Sequence, residues 1–272
     1  MSPSPFHSTQ TPAITDAGEH LRRLRRQAGL SQLDLALLAG LSHRHLSCVE
    51  TGRAKASPST LHALLSALEV PLDHCNDVFL AAGYAPRYAA SAPDAPAMKM
   101  VHDALEYILQ ANNPAPAIVI ASNWDITAAN ASAGLLFTMA GVPTNSTSGL
   151  NLLDTLLRPG GLGDHLVNAD EIRAIAWQRA AREAVGNPDL TRWLQGLPTP
   201  PALPPDAPLS PMVLTRVRTG EGELHFLSTF TTFGMPLDIT VASLRIEHLV
   251  PANHETWQTM RTAYETWLAN IG

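Results

Sequence analysis

Four side chains that can form hydrogen bonds with a nucleic acid follow Ser42 in a segment of helical spacing. They are His43, Arg44, Ser47 and Cys48. Leu46 and Val49 lie three residues apart and turn towards a core, which leaves the four polar residues on the exposed side of the helix. A short polar helix of this kind can place its first residues against base edges in the major groove. The pattern therefore predicts a helix that contacts double-stranded DNA.

Capping and turn residues position this predicted recognition helix. Ser31 and Ser42 each precede a segment of helical spacing and can cap its first turn. Gly40 supplies the tight turn between the two helices. Helical periodicity, short connections and few β-branched residues predict a compact domain of five helices. Their expected ranges are 16–28, 31–39, 42–50, 58–69 and 73–82.

The distribution of charge agrees with a DNA-binding N-terminal region. The whole chain of 272 residues has a formal net charge of −6 at pH 7. Residues 1–56 carry seven Lys or Arg and four Asp or Glu, a net charge of +3. Residues 89–272 carry ten and seventeen, a net charge of −7. Positive charge at one end can attract phosphate locally while the acidic remainder keeps the protein soluble.

The rest of the chain predicts an α+β domain. A helix is expected near 98–112, and two short apolar runs around a turn at Ser122-Asn123 predict a hairpin. The segment from Pro198 to Pro211 contains seven prolines, which exclude it from the interior of a sheet or helix. Strands at both ends of the domain, with helices between them, imply one mainly antiparallel sheet. The expected strands are 117–121, 124–128, 213–218, 224–232 and 238–247, and the further helices are 130–140, 150–196 with breaks at 160–161 and 187–188, and 254–268.

Composition divides the chain into four segments. Residues 1–14 mix Ser, Pro and Thr without apolar periodicity and are expected to form a disordered arm. Residues 15–84 hold the five predicted helices. Glycine and proline end the fifth predicted helix, and an Ala/Pro/Ser-rich stretch follows them. Together these features predict a linker over 85–97. Residues 98–272 then form the α+β domain, so we expect a multidomain protein.

Several kinds of site are not indicated by the sequence. There is neither an apolar run long enough to span a membrane nor a secretory signal, so we expect a cytoplasmic protein that binds no membrane. Cys48 and Cys75 lack the spacing of a disulfide framework, and His43 and His45 have no suitably spaced partner, so no metal site is expected. Because Gly161-Leu162-Gly163 lacks a third glycine and no nucleophile elbow, HExxH or P-loop occurs, we expect no cofactor and no enzyme activity.

The N-terminal features together resemble the Xre family, the helix-turn-helix family of the lambdoid repressors. The resemblance rests on Gly29–Ala36, Ala39–Ser42, Leu46 and Val49–Gly52. It implies that Gln32 binds a phosphate and braces the first side chain of the recognition helix, and that Arg25 and Glu50 form a largely buried ion pair. It also implies base contacts led by His43 and Arg44, and backbone contacts after that helix. The implied DNA-binding residues are Gln32, Ser42, His43, Arg44, Ser47, Cys48, Thr51, Arg53 and Lys55.

A second resemblance covers roughly residues 80–250. It rests on Leu80–Pro86, Trp124–Asn130, Ser228–Gly234, Asp238–Thr240 and Leu244–Glu247. These segments resemble the MmyB-type regulators, which implies a PAS-like C-terminal domain. The resemblance also implies that this domain binds an apolar small molecule such as a fatty acid.

The residues themselves are compatible with such a pocket. One face of the predicted strand 224–232 alternates aromatic rings with hydroxyl groups, which could line a ligand cavity or equally form ordinary sheet core. Asn130 is expected to cap a helix, and the resemblance adds a place in the pocket wall. A buried carboxylate of the ligand would need a donor, for which Arg216, Arg245 and His225 are open alternatives. The candidate ligand-binding residues are Trp124, Asn130, Leu136, Phe137, Leu156, Trp177, Arg216, Phe226, Phe230 and Thr232.

Together the two resemblances imply a transcription regulator that binds DNA as a homodimer and responds to an apolar ligand. Two-fold symmetry would place the recognition helices about 34 Å apart on a palindromic operator. The alternative is an interaction or scaffold protein whose helix-turn-helix domain no longer binds DNA. Arg22 and Arg26 of the first helix are interpreted as solvated residues in either case.

Overall fold

The structure is a computed structural model that describes residues 16–142, 147–184, 187–201 and 212–271. The expected arm at 1–14 and most of the proline-rich segment 198–211 lie outside the described residues. The chain separates into two compact units. The N-terminal unit comprises the described residues up to Ser91 together with Pro236–Ala242, and the C-terminal unit comprises those of Ala92–Met235 and Ser243–Gly272.

Five helices build the N-terminal unit, as the sequence predicts. They are α1 (Asp16–Gln27), α2 (Gln32–Leu38), α3 (His43–Glu50), α4 (Pro58–Ala67) and α5 (Leu72–Ala81). The hydroxyls of Ser31 and Ser42 accept hydrogen bonds from the backbone amides of Asp34 and His45, which caps α2 and α3. Gly40 between these helices has a φ of 66°, a conformation that glycine adopts without steric cost. Fully buried leucines from four helices form the core: Leu21, Leu35, Leu46, Leu61, Leu64 and Leu65.

A second glycine allows α1 to approach α3 closely. A Cβ atom at Gly18 would lie 2.6 Å from the carbonyl oxygen of Val49. That contact is far inside normal van der Waals distance, and the atom it would meet belongs to the backbone of a helix. Glycine at this position therefore permits α1 to pack against the last turn of α3.

The C-terminal unit is built on an antiparallel sheet. Its strands are β1 (Ala117–Ile120), β2 (Ile126–Ala129), β3 (Leu214–Thr219), β4 (Gly222–Thr232) and β5 (Arg245–Pro251). Its helices are α6 (Lys99–Asn112), α7 (Ala131–Met139), α8 (Leu152–Leu157), α9 (Ala169–Glu183), α10 (Pro188–Gln195) and α12 (His254–Ile271). The short helix α11 (Ile239–Ser243) follows β4 in the chain, and all of it except Ser243 belongs to the N-terminal unit. The strand order is β2-β1-β5-β4-β3, and the paired strands are antiparallel. The predicted α+β class with a mainly antiparallel sheet is confirmed.

One face of this sheet, the core face, packs against the helices of the C-terminal unit. It contributes apolar side chains to the core, among them Ile118, Ile120, Val217, Leu224 and Phe226. The strand register places Arg245 of β5 between Ile120 and Thr232, and Glu247 between Ile118 and Phe230. Since directly paired residues point to the same side of a sheet, β5 brings two charged residues to the core face.

The strand predicted at 238–247 is wrong in its first half. Ile239–Ser243 is helical, and the strand begins only at Arg245. The carboxylate of Asp238 accepts hydrogen bonds from the amides of Thr240 and Val241, at 2.9 and 3.2 Å, and so starts a helical turn. Alternating apolar residues in this stretch fit a strand and a short helix equally well, and the aspartate decides for the helix.

The break predicted at 160–161 is longer than expected. It extends from the end of α8 at Leu157 to the start of α9 at Ala169, with a 3-10 turn at Leu162–His165. Cβ atoms at Gly161 and Gly163 would lie 2.3 and 2.0 Å from backbone carbonyl oxygens of α8. The two glycines therefore let the chain fold back on α8, in agreement with their interpretation as a turn rather than a dinucleotide fingerprint.

Residues 236–242 pack in the N-terminal unit beside the chain that follows α5. The side-chain amide of Asn76 donates to the carbonyl of Tyr88 and accepts from its amide, at 2.8 and 3.0 Å. The amide of Ser91 donates to the carboxylate of Asp238 at 3.0 Å. The bond between Ser91 and Asp238 joins two segments that are remote in sequence. The linker expected over 85–97 stays a prediction.

Within the described ranges, no helix combines the length and apolar character needed to cross a membrane.

Candidate functional site

The exposed side of α3 carries the residues that the sequence places there. His43 and Arg44 at its start are exposed, and so are Ser42 before it and Arg53 after it. Ser47 and Cys48, one turn further on, are half-buried. The apolar side of the helix, with Leu46 and Val49, is buried in the core of the N-terminal unit. The first turn of α3 is therefore free to approach another molecule.

A buried charged cluster holds the last turn of α3. Arg25 of α1 donates through Nε and Nη2 to the two carboxylate oxygens of Glu50, at 2.7 and 2.9 Å, and through Nη1 to the carbonyl of Leu30. Gln32 of α2 donates to the same carboxylate at 2.8 Å. Burial by itself would raise the pKa of Glu50, but these hydrogen bonds and the positive charge of Arg25 hold that pKa below its usual range. The structure thus brings Arg25 and Glu50 together and ties α1 and α2 to α3.

Besides Ser42, whose hydroxyl caps α3, three of the predicted DNA contacts already have partners within the protein. The amide of Gln32 is engaged in the cluster just described. The hydroxyl of Thr51 donates to the carbonyl of Ser47 at 2.7 Å. The ammonium of Lys55 lies 4.5 Å from the ring centroid of Tyr84, in a cation–π contact. Their phosphate contacts stay predictions, and each side chain would have to exchange or share a partner to make one.

Cys75 of α5 is the buried cysteine of the N-terminal unit. The thiol of Cys75 is buried, and this burial, with the nearby charge of Asp73, raises its pKa to about 11. Such a thiol is protonated and unreactive at neutral pH. Among the residues that the structure describes, no three His, Cys, Asp or Glu side chains are grouped as metal ligands would be.

In the C-terminal unit, six of the ten candidate ligand-binding residues belong to the packed interior. These are Trp124, Asn130, Leu136, Phe137, Leu156 and Phe226, each buried. Asn130 caps α7 by accepting from the amide of Ala133, and it also accepts from the amide of Ala117. Its side-chain nitrogen donates to the carbonyls of Leu109 and Ala115. Because all of its polar atoms are engaged, Asn130 has a structural role, and a place in the pocket wall stays a prediction.

Trp177 lies in a different setting. It borders a cleft of about 530 Å³ between α9 and α10, and apolar side chains make up most of the wall. The residues along it are Trp177, Ala181, Ala184, Thr191, Leu194, Gln195, Leu197 and Thr199. The volume falls within the range of small-molecule sites.

The strand register separates the three alternatives for a carboxylate donor. Arg216 pairs with His225, and both lie on the face of the sheet opposite Phe226. Both side chains bind the carboxylate of Glu223. Arg245 alone of the three lies on the core face, where Phe230 and Thr232 also lie.

Arg245 belongs to a cluster of charged and aromatic side chains. Its Nη1 donates to Glu183 of α9 at 3.1 Å, and Trp124 and Arg179 donate to the same carboxylate at 2.8 and 2.9 Å. The guanidinium of Arg245 lies 4.5 Å from the centroid of the Trp124 ring, and that of Arg179 lies 3.9 Å from the centroid of Phe230. Burial lowers the pKa of Arg245 below its usual value, although an arginine remains charged in proteins.

Sequence reasoning missed two members of this cluster, Arg179 and Glu183. Their spacing of four residues on α9 is typical of an ordinary salt bridge on a helix surface. Nothing in that spacing indicates that both face Trp124. The only indication of such a cluster in the sequence is that charged residues interrupt otherwise apolar segments. Arg245 is one of these residues.

Family comparisons agree with this division into two units. Residues 16–76 match the helix-turn-helix domain family. Residues 101–263 match the family described as the MmyB-like transcription regulator ligand binding domain. The chain belongs to this MmyB-like family. The first match identifies the α3 surface as part of a DNA-binding module. The second match identifies the antiparallel sheet and its helices as a ligand-binding module. No curated protein matches the chain in sequence.

Solved structures are similar to this chain over part or most of its length. The restriction-modification controller protein C.AhdI from Aeromonas hydrophila is 34% identical over 23% of this chain and 94% of its own, with a TM-score of 0.22. The clp gene regulator ClgR from C. glutamicum is 28% identical over 28% of this chain and 95% of its own, with a TM-score of 0.23. An RNA-binding Light-Oxygen-Voltage receptor covers 94% of this chain and 64% of its own at 12% identity, with a TM-score of 0.27. The first two likenesses extend over 23% and 28% of this chain.

Proposed function

We propose that this protein is a sequence-specific transcription regulator that binds a palindromic operator as a homodimer. An apolar small molecule such as a fatty acid, bound in the C-terminal unit, modulates that binding. The regulator acts by binding rather than by catalysis. Two-fold symmetry places the two α3 helices about one turn of DNA, roughly 34 Å, apart.

The exposed first turn of α3 carries the DNA-binding half of the proposal. His43 and Arg44 project from a helix whose opposite side is buried and whose last turn is held by the Arg25–Glu50 pair. An arginine in this position can donate two hydrogen bonds to the edge of a guanine, which is the commonest specific contact of direct readout. The rigid support keeps the helix in place while its first turn enters the groove.

The DNA-binding test uses the full chain and the DNA upstream of its own gene. Binding measured by fluorescence anisotropy should weaken steeply as salt increases, because phosphate contacts release counterions. Arg44→Ala should lose about 1–3 kcal/mol of binding free energy. Arg218→Ala is the matched control, since it removes an exposed arginine from β3. Equal losses in both variants, or binding that ignores salt, would contradict the proposal.

A second candidate function is an interaction module that does not bind DNA. Three leucines on α2 favour it, because Leu33, Leu37 and Leu38 are more than half exposed. Apolar side chains grouped on a surface helix often mark a protein contact. Salt-independent behaviour in the DNA test, together with self-association that Leu37→Ser abolishes, would favour this function.

The ligand half of the proposal rests on the match of residues 101–263 to the MmyB-like ligand binding domain and on the aromatic residues of the core face. A bound ligand changes DNA affinity only if it binds two arrangements of the regulator unequally. Native mass spectrometry of freshly purified protein should show a co-purified small molecule. Fatty acids of increasing chain length should raise the melting temperature of the stripped protein. A protein that purifies without ligand and shows no thermal shift with any chain length would contradict this half.

A further inference from the structure

Arg245 is a buried arginine with unused donors. Its side chain is about nine-tenths buried on the core face of the sheet. Nη1 donates to Glu183, but Nε and Nη2 are buried without a hydrogen-bond partner among the described residues. Buried charged donors are normally paired because an unpaired one has lost its water without replacement. The two free atoms therefore indicate a missing acceptor.

The two free atoms have a defined geometry. Nε and Nη2 lie on one edge of the planar guanidinium and point in parallel, so together they fit an acceptor with two oxygens. Arg25 uses the same two atoms to bind both oxygens of Glu50, at 2.7 and 2.9 Å. In the N-terminal unit, Arg25 thus forms the two-pronged contact that Arg245 does not form.

The surroundings of Arg245 favour an anion. Two guanidinium groups, of Arg245 and Arg179, share the single carboxylate of Glu183. The other nearby carboxylate, Glu247, accepts from the hydroxyl of Ser228, and burial raises its pKa above the usual range. The nearest carboxylate is therefore shared by two arginines, while the edge of Arg245 formed by Nε and Nη2 has no acceptor among the described residues.

Aromatic surface next to the arginines suits the apolar part of a ligand. The Trp124 ring lies against the Arg245 guanidinium. Phe230, on the same face of the sheet, is 43% exposed and carries Arg179 above its ring. Two rings and two guanidinium groups in one cluster match a molecule with a carboxylate at one end and a hydrocarbon body.

We propose that Arg245 binds the carboxylate of the regulatory ligand through Nε and Nη2, so that the ligand is an organic acid. This inference rests on the proposed ligand-binding function and adds to it the residue that anchors the acid group of the ligand. Arg179 is a second positive charge at the same site. Arg216 and His225, which lie on the opposite face of the sheet, take no part.

The experiment compares two probes that differ only in the anionic group, decanoic acid and decanol. Full-length protein stripped of co-purified ligand is titrated with each probe in a calorimeter. Decanoic acid should bind about tenfold to a hundredfold more tightly than decanol, as expected for a charged hydrogen-bonded pair. In Arg245→Gln this preference should disappear while decanol affinity stays unchanged, and that unchanged affinity also shows that the variant is folded. Arg216→Gln, the matched control, should keep the preference.

The outcomes separate this inference from the proposed function. Equal binding of the two probes by the wild type, or a preference that survives in Arg245→Gln, would overturn the carboxylate site and leave ligand binding intact. Failure of both probes to bind the wild type would contradict the ligand-binding function itself. Should Arg245→Gln not fold, Arg245→Lys retains the charge without the two-pronged edge and should lose most of the preference.

Discussion

Two buried arginines, one in each unit, present the same pair of atoms to very different surroundings. Arg25 directs Nε and Nη2 at Glu50, and both hydrogen bonds are formed. Arg245 directs the same atoms at no acceptor among the described residues. A buried arginine with its acceptor in the chain is part of the fold, since it joins helices at a fixed angle. One without an acceptor has buried donors that have lost their water without replacement, which costs stability.

The largest effect is expected from removing the acceptor of Arg25. Glu50→Ala leaves a buried guanidinium unpaired and should lower the free energy of unfolding by about 3–5 kcal/mol. The five tryptophans of the chain all lie in the C-terminal unit. Tryptophan fluorescence should therefore show little change in the unfolding midpoint, whereas far-ultraviolet circular dichroism should show an early transition.

The control for this prediction is Glu19→Ala, which removes an exposed glutamate from α1. It should leave both transitions within about 0.5 kcal/mol of the wild type, as is usual for surface substitutions. An equal shift in the fluorescence and circular dichroism transitions of Glu50→Ala would show that the effect of the pair is not confined to the N-terminal unit.

A smaller loss is expected where α1 approaches α3. Gly18→Ala adds a Cβ atom that would lie 2.6 Å from the carbonyl of Val49. The two helices must separate slightly, which pulls Arg25 away from Glu50 and should cost about 1–3 kcal/mol. Denaturant unfolding followed by circular dichroism measures this loss. Gly234→Ala, where a Cβ atom would meet nothing within 4 Å, should be neutral, and equal behaviour of the two variants would show that the close approach is not limiting.

The sharpest contrast between the arginines comes from replacing each by methionine. Arg25→Met leaves Glu50 buried with only Gln32 as a donor, and should lose about 3–5 kcal/mol. Arg245→Met removes two unpaired donors, and Glu183 keeps its bonds from Trp124 and Arg179. In ligand-free protein its unfolding free energy, measured by tryptophan fluorescence, should fall by less than about 1 kcal/mol or rise. Similar losses in the two variants would mean that both arginines are structural.

The smallest expected effect is a difference in the acid response of the two units. The pKa of Glu50 is lowered in the folded protein, so the stability it contributes is present above its unfolded pKa and is lost as pH falls through the lower folded value. The pKa of Glu247 is raised, so this group lowers stability as pH rises from its unfolded pKa to the raised value. In an acid titration, circular dichroism should therefore change before tryptophan fluorescence, and the reverse order would contradict these two shifts.

The elements of the N-terminal unit could be predicted from the sequence to within a residue or two. Ser31 and Ser42 bond to amides three residues away, and Gly40 adopts its turn without help from elsewhere. Such interactions are local and therefore visible in a few consecutive letters. The same reasoning failed at 238–247, because alternating apolar residues are compatible with two structures and Asp238 also bonds to Ser91, far away in the sequence.

The candidate ligand site could be predicted only in part. The alternation in β4 correctly grouped Phe226, Phe230 and Thr232 on one face. It could not choose among Arg216, Arg245 and His225, because that choice depends on how β4 pairs with β3 and β5. A shift of one residue in that pairing would exchange the faces, and no local pattern excludes it.

By itself, the sequence determined which helices form in the N-terminal unit, which side of α3 faces out, and that a charged pair could support it. Only the tertiary structure decided which buried charges have partners. Glu183 lies 62 residues from Arg245, and Glu50 lies 25 residues from Arg25. Caps and turns act within one turn of chain, whereas the pairing of buried charges depends on the packing of whole elements. For this reason the sequence contains both arginines but does not show that Arg25 has its acceptor within the chain and that Nε and Nη2 of Arg245 have none among the described residues.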